Sequence, residues 1–403
     1  MKFYQLSPEE RRNLLAEEGI RLDEIDQSVL KQLDKLSENV VGQMRLPLGI
    51  VQNLVVNGKK YTVPLVTEEP SVVAAANHGA QIFAMNHGVT AESKRNGIFG
   101  QVVFRIESNF ELDKLKASFP KVIDETNNEF ASLVKHGGGL KKISAHLKKE
   151  LLYLKVLVDP AEAMGANKTN SILEYLGNQL STFPGIREKL FAILSNYPSQ
   201  LTTAKAVIDV ASIGGIDVAK RISLLSQIAH DDVYRAVTNN KGIMNGVDAV
   251  LIATGNDYRA VEAASAVLAS QSGQYRSLSN WSIEEGKLVG ELTLPLAIGT
   301  VGGSINARRD VQQAYRILGG NIKAHTLAEI IASVGLANNL AAILAISTTG
   351  IQAGHMKLQA RNIVANLDAS DEEKQRVLMR MIAEKNYTIE EANKILRKLS
   401  EEK

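Results

Sequence analysis

Residues 235–260 read Arg-Ala-Val-Thr-Asn-Asn-Lys-Gly-Ile-Met-Asn-Gly-Val-Asp-Ala-Val-Leu-Ile-Ala-Thr-Gly-Asn-Asp-Tyr-Arg-Ala. Two polar, glycine-bearing segments, 240–246 and 254–257, bracket the apolar run Ala249–Ala253. A short apolar run with turns at both ends predicts a buried strand. Lys241 then stands just before the strand and Asp257 just after it. Loops at the rims of buried strands are where site chemistry concentrates. An ordinary surface lysine and aspartate would leave the same local signature, so the pair acquires meaning only with partners from elsewhere in the chain.

Working outward, Ser7, Pro8 and Glu10 spell a capping box with proline at the first helical position. Charged helical sequence continues to about Ser37. Leu54–Val56 and Tyr61–Val66 flank Asn57-Gly58, a hairpin signal. Thr67–Ser71 leads into an alanine-rich helix, Val72–Met85, with Glu69 beside its start. After Phe104 the texture changes. Residues 107–215 read as a small α+β module: helix Leu112–Val134, glycines Gly137–Gly139, strand Leu151–Val158, helix Thr169–Leu180 and a strand near Phe191–Leu194. Long helices and short strands return from Ile216. After Asn366, two capping boxes, Ser370 with Glu373 and Thr388 with Glu391, open charged amphipathic helices. With little apolar surface of its own, that last unit is expected to dock on the body as a lid.

The 403 residues suffice for two or three domains. With 46 basic and 44 acidic residues and no basic block, a nucleic-acid partner is not expected. The absence of cysteine excludes disulfides, a thiolate metal site and a catalytic thiol. The first ten residues lack an apolar core of signal-peptide length. Ala328–Ser347 carries Glu329, Asn338 and Asn339, which predicts a buried helix rather than a lipid span. A soluble, cytoplasmic protein without a membrane partner is expected.

The loop Pro160–Asn167 joins a strand to a helix. Gly165 permits close backbone approach and the helix start offers free amides, a sensible cradle for phosphate or a dinucleotide. Neither Gly-x-Gly-x-x-Gly nor a P-loop is present. The seven histidines show no metal spacing, so no metal is expected. His355 follows an apolar helix and two glycines, beside the lid, where it can change protonation as a site closes. Glu69 at a helix start is held ionised, so proton donation would require a second carboxylate nearby, for which Asp257 is the candidate. Converging, Glu69, Lys241 and Asp257 would titrate as a coupled set.

The blocks Glu38-Asn-Val-Val-Gly42, Glu68-Glu-Pro-Ser-Val-Val-Ala-Ala75, Glu162-Ala-Met-Gly-Ala-Asn167, Asn240-Lys-Gly-Ile-Met-Asn-Gly246, Ala253-Thr-Gly-Asn-Asp257 and Gly350-Ile-Gln-Ala-Gly-His-Met356 together resemble class II 3-hydroxy-3-methylglutaryl-coenzyme A (HMG-CoA) reductase. The likeness runs from about Glu38 to the C-terminus. It implies an α/β (α+β) fold: a large mixed α/β domain (1–105 and 216–352) binding substrate and coenzyme A, an inserted ferredoxin-like NAD(P)-binding domain (106–215), and a C-terminal helical flap (353–403). It implies reduction of HMG-CoA to mevalonate and coenzyme A by two NAD(P)H through a mevaldehyde-level intermediate, or the reverse. Glu69, Lys241, Asp257 and His355 are the implied catalytic residues, and Ser71, Arg235 and Asn245 the implied substrate contacts. Glu162, Met164, Gly165, Asn167 and Asn196 are implied to contact the cofactor. Family members are dimers or dimer-based oligomers with sites at the subunit interface.

Two departures stand out. Glu162 occupies a position that is usually Asp, keeping the charge on a longer arm. Phe130 falls where NADH-preferring members can place an Asp, with Lys135, Lys141 and Lys142 nearby, which points to NADPH over NADH. A silent nucleotide-binding homologue and a different acyl-coenzyme A dehydrogenase are the competing expectations. Complete catalytic positions argue against the first, and Arg235, if it grips a distal carboxylate, against the second.

Overall fold

The computed structural model of the chain describes residues 2–303, 305–348 and 350–401, without the side chains of residues 70, 351–355, 357, 358, 400 and 401. Residues 1–48 form one compact unit and 49–403 another.

In the first unit the capping box is present: Glu10 N donates to Ser7 Oγ at 3.3 Å and Ser7 N to Glu10 Oε2 at 2.7 Å. It opens α1 (Pro8–Glu17). The helix does not continue to Ser37. Gly19 at φ 85° ends it, and Asp26 caps a separate α2 (Gln27–Asp34). Arg11, 4% exposed, ties the two together by donating to Asp34 Oδ1 at 2.5 Å.

In the second unit β1 (Leu48–Val56) and β2 (Lys59–Val66) flank the expected turn, with Asn57 at φ 50° and Gly58 at φ 77°. Helix α3 (Pro70–Met85) and β3 (Val89–Ser93) follow. The chain then builds β4 (Ile98–Ile106), α4 (Leu112–Glu129), α5 (Ala131–Lys135), β5 (Gly139–Lys148), β6 (Leu151–Asp159), α6 (Ala166–Leu180) and β7 (Ile186–Ser195). These four strands make an antiparallel sheet in the order β5-β6-β4-β7, around a core that includes Phe104, Leu154 and Leu173. The helix expected over 112–134 is thus two helices. Strand β4 lies before the module boundary expected near 106, yet belongs to this smaller sheet.

Strand β8 (Leu201–Asp209) falls within the bounds expected for the module, 107–215, but lies in the larger sheet. Helices α7 (Ile216–Asp231), α8 (Val233–Ala253) and α9 (Tyr258–Ala269) precede the hairpin strands β9 (Ser279–Glu284) and β10 (Lys287–Pro295). The larger sheet runs β2-β1-β3-β8-β10-β9. Helices α10 (Arg309–Ile317) and α11 (Ala324–Ser347) complete this body. Helix α11 is long and apolar enough to cross a membrane, but 83% of its most apolar window is buried, against α3, α8, β3 and β8.

The strand expected over Ala249–Ala253 is the last turn and a half of α8. Asparagine and glycine favour turns in isolation, but tertiary packing overrides that preference here. Asn239 Nδ2 donates to Ser277 Oγ at 2.8 Å and Asn240 Nδ2 to the Arg276 carbonyl at 2.8 Å. At Gly246 a Cβ would stand 2.3 Å from Asn338 Oδ1, so only glycine lets α8 close on α11. Gly79 does the same for α3, where a Cβ would meet the Ala337 carbonyl oxygen at 2.3 Å.

The C-terminal unit comprises α12 (Ile351–Ala365), α13 (Asp371–Glu384) and α14 (Ile389–Glu401). Contrary to expectation it owns a core: Ala360, Val364, Leu367, Val377, Met381, Ala392, Ile395 and Leu399 bury one another. The charged sequence hid an apolar residue at each inward helical position.

Candidate active site

Three helices line one cleft of about 460 Å³. On α8, Arg235, Thr238, Gly242 and Asn245 recur at helical spacing, as do Ser71, Ala75 and His78 on α3 and Asn338, Ala342 and Ala345 on α11. Glu69 stands at the N-cap of α3, but its carboxylate makes no capping bond. It instead accepts from Ser71 Oγ at 2.5 Å, and its Oε2 lies 3.7 Å from Lys241 Nζ. Lys241 reaches in from the rim, its side chain 65% exposed. Solvent screening keeps such a pair weak, so the ammonium can be redirected to a ligand at little cost.

Arg235 is half-buried in the first turn of α8, and its Nε is buried without a partner. Burial lowers its pKa from the usual guanidinium value. A desolvated cation with an orphaned donor fits a carboxylate ligand. The cleft floor is polar where the sequence suggested plain packing. Asn338 Nδ2 donates to the Val72 carbonyl at 3.2 Å, Asn339 Nδ2 to Asn239 Oδ1 at 2.9 Å, and Trp281 Nε1 to Asn339 Oδ1 at 2.7 Å. The available signal was two adjacent asparagines inside an apolar helix; that signal served only to argue against a lipid span.

Asp257 does not join this cleft. From Lys241 to the end of α8 the helix advances about 18 Å at 1.5 Å per residue, and Asp257 lies beyond that end. It caps α9, accepting from Ala260 N at 3.1 Å and from Arg259 Nε at 3.3 Å. The convergence of Glu69, Lys241 and Asp257 is therefore not achieved within one chain. The helix that Asp257 caps faces another site: Ala260 and Ala264 of α9 share a narrow crevice with Met164 and Asn196, two residues expected at the cofactor.

Gly165, at φ 91°, is the N-cap of α6, and a Cβ there would meet Pro160 at 2.2 Å. Pro160 fills the place a side chain would take, and the first amides of α6, beside Asn167, offer the donors of an anion site at a helix start. Glu162 is turned elsewhere: its Oε2 accepts from Ala324 N at 2.7 Å and so caps α11. Its longer arm reaches that helix. Phe130 packs edge-on against Tyr175 at 5.8 Å, with Lys168 Nζ 5.7 Å from its ring. Lys141 Nζ lies 3.7 Å from Asp159 Oδ2. Among the described residues no cluster of three or more potential ligands could hold a metal.

The family model described as hydroxymethylglutaryl-coenzyme A reductase matches residues 7–360. The chain belongs to the hydroxymethylglutaryl-coenzyme A reductase family. It is 37% identical to 3-hydroxy-3-methylglutaryl-coenzyme A reductase of Archaeoglobus fulgidus, over 98% of this chain and 94% of that one. It is 37% identical to a probable reductase of the same name from Borreliella burgdorferi, over 91% and 87%. Among solved structures, the reductase of Streptococcus pneumoniae superposes with TM-score 0.76 at 39% identity, covering 98% of this chain and 99% of that one. The class II enzyme of that organism, bound to NADPH in open conformations, gives TM-score 0.76 at 39% identity, covering 97% and 99%. The reductase is an NAD(P)H-dependent oxidoreductase that converts HMG-CoA to mevalonate. His355 of this reductase lies in α12, and its side chain is outside the described residues.

Proposed function

We propose that the Glu69–Lys241 cleft receives the thioester end of HMG-CoA and that Asp257 of the partner subunit completes it. The observation that carries this reading is the Ser71–Glu69–Lys241 cluster opening beside an under-satisfied Arg235. Arg235 grips the distal carboxylate, with Ser71 and Asn245 hydrogen-bonding the substrate. Lys241 faces the thioester oxygen and stabilises the negative charge that develops there during reduction. Glu69 passes protons as the thioester collapses and the aldehyde is reduced. His355 protonates the departing coenzyme A thiolate, which would otherwise re-attack the aldehyde. When bound, NAD(P)H supplies the two hydrides. Gly165, Asn167, Met164 and Asn196 hold it at the crevice near Asp257. Lys135, Lys141 and Lys142, with Lys168 beside Phe130, favour the extra phosphate of NADPH. Placement in the cytoplasm accords with this substrate and cofactor.

The length of α8 supports a dimer. One helix carries Lys241 in its N-terminal half and leads to Asp257 beyond its C-terminal end, so two antiparallel copies would bring each lysine to the other copy's aspartate. Homodimers of Lys241→Ala and of Asp257→Ala should each lose at least about a hundredfold in kcat for NADPH oxidation. Mixed and re-associated in equal amounts, they should recover about a quarter of wild-type activity, because each mixed dimer regains one intact site. If both residues act from one chain, mixing restores nothing. Should the wild type oxidise neither NADPH nor NADH with HMG-CoA, the reaction assignment itself falls.

A further inference from the structure

Arg95 lies in the link between β3 of the larger sheet and β4 of the smaller one. Its Nη2 donates to three main-chain carbonyls: Ala161 at 3.1 Å, Ile298 at 3.0 Å and Ala163 at 3.5 Å. Two of these belong to the loop that ends in Gly165, and the third to the segment after β10. We propose that Arg95 is a positioning residue that sets the cofactor loop in register with Asp257, without touching cofactor itself.

The segment 296–301 is the middle link. Thr300 N donates to the Glu162 carbonyl at 2.9 Å, and Ala163 and Val301 form a parallel bridge. Gly299 presses so close that a Cβ would stand 2.2 Å from Met164 N. On its other side, Gly299 N donates to Asn256 Oδ1 at 2.9 Å, and Asn256 immediately precedes Asp257. Loop, segment and aspartate are therefore joined through main-chain contacts and the Asn256 side chain, and among the described residues Arg95 is the side chain that grips both loop and segment. The guanidinium is mostly withdrawn from water, and its Nη1 is buried without a partner. Burial lowers its pKa, and Glu162 and Asp159 beside it offset part of the cost of burying the charge. Glu162 adds a second tether by capping α11. All three contacts converge on one nitrogen, Nη2, whose placement depends on the rigid guanidinium plane that lysine lacks.

This inference rests on the reading of the Pro160–Asn167 loop as the cofactor site. The test is binding rather than turnover, on the full-length protein: NADPH titrated by its own fluorescence, and HMG-CoA titrated without cofactor. Arg95→Met should weaken NADPH about tenfold, as expected for a small displacement of an aligned site, and leave HMG-CoA affinity within about twofold. Arg95→Lys should give an intermediate loss, and it carries the test if the methionine variant does not fold. NADPH affinity at the wild-type level in both variants overturns the proposal. So does an equal loss for both ligands, which marks a general structural role. Asn167→Ala separates the two levels. If it leaves NADPH affinity unchanged, the loop is not the cofactor site. If it weakens NADPH while the Arg95 variants do not, only the role of Arg95 fails.

Discussion

The two ends of α8 solve the same problem, holding polar groups in place, by different means. At the Lys241 end the groups ride on three helices packed through glycine and alanine, and the polar contacts behind them are side-chain amides. At the Asp257 end the groups sit on turns and loops, held by main-chain bonds and by residues at positive φ such as Ala161 (54°), Gly165 (91°) and Gln200 (53°). Helix faces place side chains by periodicity. Loops need a clamp for each departure from regular structure. The Lys241 cleft is therefore sensitive to volume, and the Asp257 end to lost hydrogen bonds.

Arg235→Ala puts the greatest strain on that contrast. Leaving a buried carboxylate without its partner should raise the KM for HMG-CoA by about thirtyfold or more, while the KM for NADPH stays within about twofold. Equal rises in both would show that the two ends do not act separately. Gly79→Ala tests volume. Its Cβ would meet backbone, which cannot rotate away, so a loss of about 1–3 kcal/mol is expected, read as a lower Tm together with weaker HMG-CoA binding. An unchanged Tm would mean that α3 and α11 are free to separate. Asp248, on α8 between the two ends, gives the smallest effect. Burial, then the hydrogen bond and charge of Glu262, push its pKa up to about 8. The folded protein thus keeps a proton that the unfolded chain releases near pH 4. The stabilising effect is full below that pH and is lost as pH rises towards 8. Asp248→Asn should raise Tm at pH 8 more than at pH 5. A Tm gain independent of pH would rule out this titration.

The same contrast accounts for what the sequence disclosed. Local chemistry was legible: the Asn57-Gly58 hairpin, the Ser7 capping box and the glycine at the start of α6 all follow from two to four adjacent residues. The helix α8 was not, because its asparagines and glycines are chosen for partners 30 to 100 residues away, such as Ser277 and Asn339. Lys241 and Glu69 were recognisable as a pair by residue type, and the cleft brings them together. The position of Asp257 depends on the length of α8, which a strand over Ala249–Ala253 would conceal. Arg95 had no local signature: its acceptors are carbonyls, which every residue carries.

Helix α11 also bears on how the chain is made. The elements it packs against most extensively, α3, α8, β3 and β8, are synthesised before it. Until residue 347 has left the ribosome, the growing protein carries an open apolar slot, and the incoming segment is hydrophobic enough to be mistaken for a membrane span. Asn338 and Asn339, which floor the cleft, arrive with that last insertion. The Lys241 cleft is thus closed only when α11 inserts, and a nascent chain ending before residue 324 lacks one of its three walls.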